Sequence, residues 1–240
     1  TSRGLGDVYK RQYVPRLKKW YLHLFDVSQA DLNWDNPRVR QELKEVILFW
    51  KAKGVKGFRF DVVNLISKPD IFEDDHKGDG RRFYTDGPRV HEFLQEMSRE
   101  TFQKGDLITV GEAWGANTEN AKLYSNPDGS EFSMVFQFEH VTLDQQPGKE
   151  KWDLAPLPFL KLKQCMAKWQ EELYGKGWNS LFMDNHDLPR IVSRWGDDKE
   201  YRTESAKMLA TVFHGMQGTP YIYQGAEIAM TNVSFDVEDS

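Results

Sequence analysis

Three carboxylates close three short apolar runs of this chain: Asp61 in GFRFDVV, Glu112 in LITVGEAWG and Asp187 in FMDNHDLPR. Arg59 stands two residues before Asp61, so on a strand both side chains share a face, with Phe58, Phe60 and Val62 on the other. A guanidinium beside a carboxylate favours its ionised form, the form a nucleophile requires; the same spacing also suits a structural ion pair at a strand end. Glu112 is followed by Trp114, and a carboxyl group among apolar atoms and indole keeps its proton, as a general acid must. Standing alone, it reads more readily as a solvated loop acid. Two carboxyl groups in opposite protonation states, with a third as helper, are the equipment for glycoside hydrolysis. Asp61 and Glu112 are 51 residues apart, room for a loop, a helix and the next strand. On neighbouring strands they would come within the about 5 Å that a retaining mechanism needs. The run Asp184-Asn185-His186-Asp187 could also ligate a metal, but adjacent residues seldom converge on one ion. Binding the hydroxyls of a polyhydroxylated substrate suits it better.

The elements that must position these groups alternate along the chain. Strands are expected at 57–63, 107–112, 133–139, 180–185 and 219–225. Helical periodicity covers 90–104, 158–175, 200–216 and 37–54, the last opened by Asn36 and Pro37 and closed by Gly54. This alternation predicts an α/β fold with a parallel sheet. No G-x-G-x-x-G or G-x-x-x-x-G-K-[ST] follows any strand, which turns the choice from an open nucleotide-binding sheet to a barrel. There the C-terminal strand ends converge on one mouth, and so would the three acids.

Bulk properties exclude other classes. The chain has 240 residues, 32 Lys+Arg against 37 Asp+Glu, and a net charge of −5, so a polyanion binder held by bulk positive charge is not expected. No run of 18 apolar residues is present, and TSRGLGDVYKRQ lacks the apolar core of a signal peptide. The single Cys165 fits a reducing compartment, so a cytoplasmic location is expected.

With these residues in view, the chain resembles the α-amylase superfamily of glycoside hydrolases. GFRFDVVN matches the nucleophile segment, TVGEAWG the acid/base segment and FMDNHD the third-acid segment, in family order. Flanking text agrees over roughly 13–235, including DLNWDNPRVR, YTDGPRVHEFLQEM, FSMVFQFEH and GTPYIYQG. Within the superfamily these segments are similar to the oligo-1,6-glucosidase, dextran glucosidase and trehalose-6-phosphate hydrolase branch. The resemblance implies Asp61 as nucleophile, Glu112 as acid/base, Asp187 as transition-state stabiliser, Arg59 as the residue orienting Asp61, and His186 as a sugar-hydroxyl ligand. It further implies that Val62 accompanies α-1,6 preference and that Trp114 and Lys151 contact the aglycone-side sugar. Core packing for Trp114 and a surface charge for Lys151 remain the alternatives.

The expected fold is a partial TIM (β/α)8 barrel, roughly strands 4 to 8 with their helices. The expected activity is a retaining exo-α-glucosidase acting on α-1,6 bonds of isomalto-oligosaccharides or dextran ends. GDGRRFYTDGPRVHEFL is most similar to the trehalose-6-phosphate hydrolases, whereas GEAWGAN, FQFEH and NHDLPR resemble the 1,6-glucosidases, and Glu139 beside His140 would be poor company for a phosphate. A rival of another class is a non-catalytic amylase-like subunit of an amino-acid transporter; the presence of all three acids speaks against it. No cofactor is expected, and the family's structural calcium or magnesium site would lie upstream of this chain. The partner is an oligosaccharide, with no nucleic acid and no membrane, and the full-length enzyme is expected to be a monomer.

Departures from the family pattern suggest a fragment. The DxxxNH-type motif and the early strands are missing, as is the downstream β-sandwich. The family's YQGEEIGMTN stands here as YQGAEIAMTN, with Ala226 and Ala229 substituted. Residues 1–12 are expected to be a non-native leader, DVYKRQ reading like a translated sequencing adapter. Residues 13–240 would then be the C-terminal portion of a catalytic barrel truncated at both ends, inactive and poorly soluble alone. EDDHKGDG (73–80) crowds acids without full calcium-loop spacing and is expected to be a solvated loop. Asn232-Val233-Ser234 is a glycosylation sequon, without meaning unless the protein is secreted. His91, His140 and His214 are expected to be structural, and Cys165 buried and inert.

Overall fold

The computed structural model describes residues 11–71, 75–76, 80–103, 105, 107–149 and 152–233. They form two compact units, one drawn from 1–114 and 128–132, the other from 115–127 and 133–240.

The first unit opens with a hairpin that the periodicity did not reveal. β1 (Arg11–Val14) pairs antiparallel with β2 (Lys19–Leu22) across a tight turn at Pro15–Leu17. Its cross-strand pair Tyr13 and Trp20 has ring centroids 5.2 Å apart, and such aromatic pairs stabilise two-stranded ribbons. Helix α1 (Pro37–Ala52) begins as expected: the Asn36 side chain accepts from the Arg38 amide, and Pro37 occupies a position where its missing N–H costs nothing. β3 (Gly57–Phe60) follows, then the short helix α2 (Arg81–Tyr84), helix α3 (Val90–Thr101) and β4 (Ile108–Glu112). β3 and β4 run parallel, with Gly57 opposite Ile108 and Phe60 opposite Gly111.

Buried Val90, Phe93, Leu94 and Met97 recur at three- and four-residue steps, forming the apolar stripe of α3. Each contributes roughly 1.5–3 kcal/mol by leaving water. Lys44 of α1 reaches Glu96 and Glu100 of α3 at 2.9 and 2.6 Å, tying the two helices together. Beside the sheet, Phe60 packs on Phe102 and Phe132 at 5.6 and 5.0 Å. The Phe132 ring lies so close to Gly111 that a Cβ there would meet it at 2.7 Å, so only glycine fits before Glu112.

The second unit holds α4 (Thr118–Tyr124), β5 (Met134–Phe136), α5 (Phe159–Leu173), β6 (Ser180–Leu181), α6 (Ile191–Trp195), α7 (Arg202–His214) and β7 (Thr219–Pro220). β6 and β7 are parallel, and a parallel bridge joins Val135 to Asn179. Leu162 and Met166 of α5 meet Ile191, Val192, Leu209 and Phe213 in one cluster. The five expected strands all form, each shorter than its apolar run, within the expected α/β alternation.

Two buried polar groups brace this unit. Asp144 and Arg194, each 1% exposed, form an ion pair, and Trp195 Nε1 donates to the same carboxylate at 2.9 Å. His140 accepts from Gln137 Nε2 at 3.0 Å through Nδ1 and donates to the Phe182 carbonyl at 2.7 Å through Nε2. Burial pushes its pKa down to about 4, against the Phe182 carbonyl, which favours the proton. The folded pKa lies below the ordinary histidine value, so the unfolded chain takes up the extra proton. Stability from this group is therefore complete above about pH 6.5 and declines as pH falls toward 4. Urea midpoints at pH 7 and 5 should fall further for the parent than for His140→Gln; equal falls would contradict the buried neutral imidazole.

Candidate active site

The β3–β4 ladder places its acids directly past its last rung. Phe60 lies opposite Gly111, so Asp61 and Glu112 follow at the same level on strands about 4.8 Å apart. The guanidinium of Arg59 donates through Nη1 to Asp61 and through Nη2 to Glu112. One cation thus bridges both carboxylates. Asp61 is open, its side chain 69% exposed, while Glu112 is 16% exposed. The shared face expected for Arg59 and Asp61 holds. The purely apolar setting expected for Glu112 does not, because Arg59 extends across the ladder to it.

Alternation ends at Asp61. Val62 has φ 39° and ψ 47°, left-handed backbone that a β-branched residue enters only under strain of about 1–3 kcal/mol. Its side chain therefore does not continue the Phe58–Phe60 face. The turn carries Val63, Asn64 and Leu65 inward, all 5% exposed or less. Asn64 carries no sequence signal for a role, yet its amide bonds both main-chain groups of Trp114: Nδ2 donates to the carbonyl at 2.7 Å and Oδ1 accepts from the N–H at 3.1 Å. The Trp114 ring is partly buried and stacks under the Arg81 guanidinium, 4.1 Å from its centroid. Arg81 is a second residue that sequence reasoning passed over; its only signal was the doubled arginine in GDGRRFY.

In the second unit, FMDNHD divides by function. Asp184 is 5% exposed and accepts from the Ile191 amide at 3.1 Å, capping α6; burial raises its pKa. Asn185 accepts from the Asp187 amide at 2.8 Å, a turn that projects the next two side chains outward. His186 and Asp187, 68% and 66% exposed, lie 3.1 Å apart in the segment that links β6 to α6. Lys151 lies outside the described residues, as do most of 73–80 and the Ser of the sequon.

Other expectations are modified. Glu139 does not stand free: Lys168 meets its carboxylate at 2.6 Å and Trp169 Nε1 donates at 2.9 Å. Burial pushes its pKa up, but these two bonds outweigh that and hold it low. With His140 buried as well, neither residue argues for or against a phosphate. Cys165 is buried, and burial lifts its thiol to about 11. Ala229 has φ 55°, a conformation in which glycine costs less. A cleft of about 660 Å³ in the first unit is lined by Trp20, Trp34 and the partly buried Asp31–Lys68 pair, and by neither Asp61 nor Glu112. Its pair stands at 2.6 Å, with burial pushing Asp31 up and Lys68 down. Among the described residues no helix is long and apolar enough to cross a membrane, and no three acidic, His or Cys side chains cluster as metal ligands.

Parallel strands joined by helices, with acids at their C-terminal ends, define an α/β protein of the kind that builds its site from strand-end loops. The α-amylase catalytic-domain family matches residues 11–240, and the chain belongs to that family. It is 55% identical over 235 residues to the oligo-1,6-glucosidase of Parageobacillus thermoglucosidasius, covering 95% of this chain and 42% of that protein. It is 56% identical over 218 residues to the trehalose-6-phosphate hydrolase of Bacillus subtilis (strain 168), covering 90% and 39%. The crystal structure of Bacillus licheniformis trehalose-6-phosphate hydrolase superposes with a TM-score of 0.89 at 54% identity, covering 95% and 42%. The chain thus spans about two fifths of the length of these relatives.

Proposed function

We propose that the full-length protein containing this chain is a retaining exo-α-glucosidase that hydrolyses α-1,6-glucosidic bonds of isomalto-oligosaccharides or dextran ends. The observation that carries the reading is the Arg59 guanidinium bridging Asp61 and Glu112 at one ladder end. In-register neighbours on adjacent strands suit the short carboxyl separation of a retaining mechanism. The chain would supply barrel strands 4 to 8.

In this scheme ionised Asp61 attacks the anomeric carbon while Glu112 protonates the departing glycosidic oxygen, leaving a glucosyl ester on Asp61. Glu112, now a carboxylate, takes a proton from water, whose oxygen displaces Asp61 and releases glucose. Arg59 orients Asp61, Asp187 stabilises the cationic transition state, and His186 binds sugar hydroxyls. Val62 accompanies the α-1,6 preference, and Trp114 contacts the aglycone-side sugar, a role the family resemblance also implies for Lys151. The two carboxyl groups supply the proton transfers and the covalent step, so the scheme needs no cofactor.

A second reading, trehalose-6-phosphate hydrolysis, draws support from the Arg81 guanidinium over Trp114, a cation beside the aglycone-side ring. Comparing kcat/KM of the full-length protein on isomaltose, maltose and trehalose 6-phosphate decides between them. Isomaltose should lead by about tenfold or more, on the order of 1.4 kcal/mol of transition-state discrimination. A lead for trehalose 6-phosphate would replace the first reading by the second.

A further inference from the structure

We propose that Asn64 is a positioning residue for the carboxyl pair: its side-chain amide supplies the rung that the backbone lacks between the ends of β3 and β4, and so sets the Asp61–Glu112 spacing. The proposal rests on the reading of that pair as nucleophile and acid/base.

The ladder ends at Phe60 opposite Gly111, one residue short of both acids. Beyond it the chain turns left-handed at Val62, so main chain from 61 onward can no longer run beside 112–114. The Asn64 amide bridges the gap. It offers one donor and one acceptor to the donor and acceptor of a single residue, Trp114, at 2.7 and 3.1 Å, a two-bond exchange of the kind found in an antiparallel hydrogen-bonded pair. Asn64 is fully buried, and its own carbonyl accepts from the Asp86 amide at 2.8 Å. Asn64 follows Asp61 by three residues, Trp114 follows Glu112 by two, and the clamp closes the loop between them. The strained turn at Val62 thereby gains a fixed endpoint. A reacting geometry loses about 10²-fold in rate for a 1 Å misplacement, so a loosened clamp is read in kcat.

The test uses Asn64→Ala and Asn64→Asp in the full-length protein, with isomaltose as substrate. Asn64→Ala should lower kcat about 10- to 100-fold with KM changed less than about threefold. In Asn64→Asp, the protonated carboxyl can donate to the Trp114 carbonyl and accept from its N–H, restoring both bonds. Once ionised it offers no donor and sets a negative oxygen against that carbonyl. Burial keeps such a carboxyl protonated above its usual range. The ratio of Asn64→Asp to wild-type kcat should therefore approach one at acid pH and fall at least tenfold between about pH 5 and 8. A residue that only stabilises the fold would change the yield of folded protein and leave that ratio flat. A flat ratio, or wild-type kcat in both variants, overturns the clamp. If Asn64→Ala does not fold, the Asn64→Asp ratio still decides, since its protonated form keeps both bonds. A wild type that hydrolyses no α-glucoside overturns the functional reading and the clamp together; an active wild type with a flat ratio overturns the clamp alone.

Discussion

Asp61→Asn in the full-length protein should lower kcat on isomaltose about 10⁴-fold or more while leaving the fold intact. An amide carries no charge to attack the anomeric carbon and forms no glucosyl ester, so the covalent route closes entirely. A loss of 10⁴ corresponds to about 5.5 kcal/mol of transition-state stabilisation, the scale expected when a step is removed rather than perturbed. The side chain is 69% exposed and bonds only to Arg59 among the described contacts, so its replacement buries no new charge and opens no cavity. The thermal midpoint should therefore move by less than about 2 °C, within the range of surface substitutions. Steady-state kinetics beside a melting curve checks both parts. Turnover within tenfold of the parent would remove Asp61 from the reaction.

Glu112→Gln should divide substrates by leaving group. A sugar alkoxide departs poorly without a proton, so hydrolysis of isomaltose should fall about 10³-fold, within the range for general acid catalysis. An α-glucoside whose aglycone leaves readily as an anion needs no proton at that step, and its glucosylation should fall far less. The alkaline limb of the kcat/KM profile, which reports loss of the acid's proton, should vanish. Gln keeps an oxygen for the Arg59 guanidinium, so the pair's position is conserved and the loss is one of proton transfer. An equal loss on both substrate types would mean that Glu112 positions rather than protonates.

These two residues were legible because their signals are local. Period-two alternation put Arg59 and Asp61 on one face, and an apolar run ending in Glu112 placed it at a strand end. What the sequence withheld depends on pairs distant along the chain. The Arg59–Glu112 contact requires the β3–β4 register, and no single-strand pattern specifies which residue of a neighbouring strand stands opposite. The Asn64 amide finds its partners 50 residues away. Val62 reads as a strand residue by type yet adopts a turn conformation, because burying Val63 and Leu65 overrides its propensity. In FMDNHD, four polar residues looked equivalent; only the α6 terminus reveals that Asp184 is a cap while Asp187 faces outward. Glu139 reads from the sequence as an acid beside His140, and only the fold shows Lys168 of α5 paired with it.

Asp61 and Glu112 facing one anomeric carbon is the central claim, and trapping the covalent sugar tests it most directly. The full-length protein carrying Glu112→Gln, incubated with an α-glucosyl fluoride deactivated by a ring fluorine, forms the ester and hydrolyses it slowly. Digestion and mass spectrometry should then find one added fluoroglucosyl group, on the peptide containing GFRFDVVN and at Asp61. A sugar attached to any other side chain, or release of an inverted product with no adduct, would contradict the account.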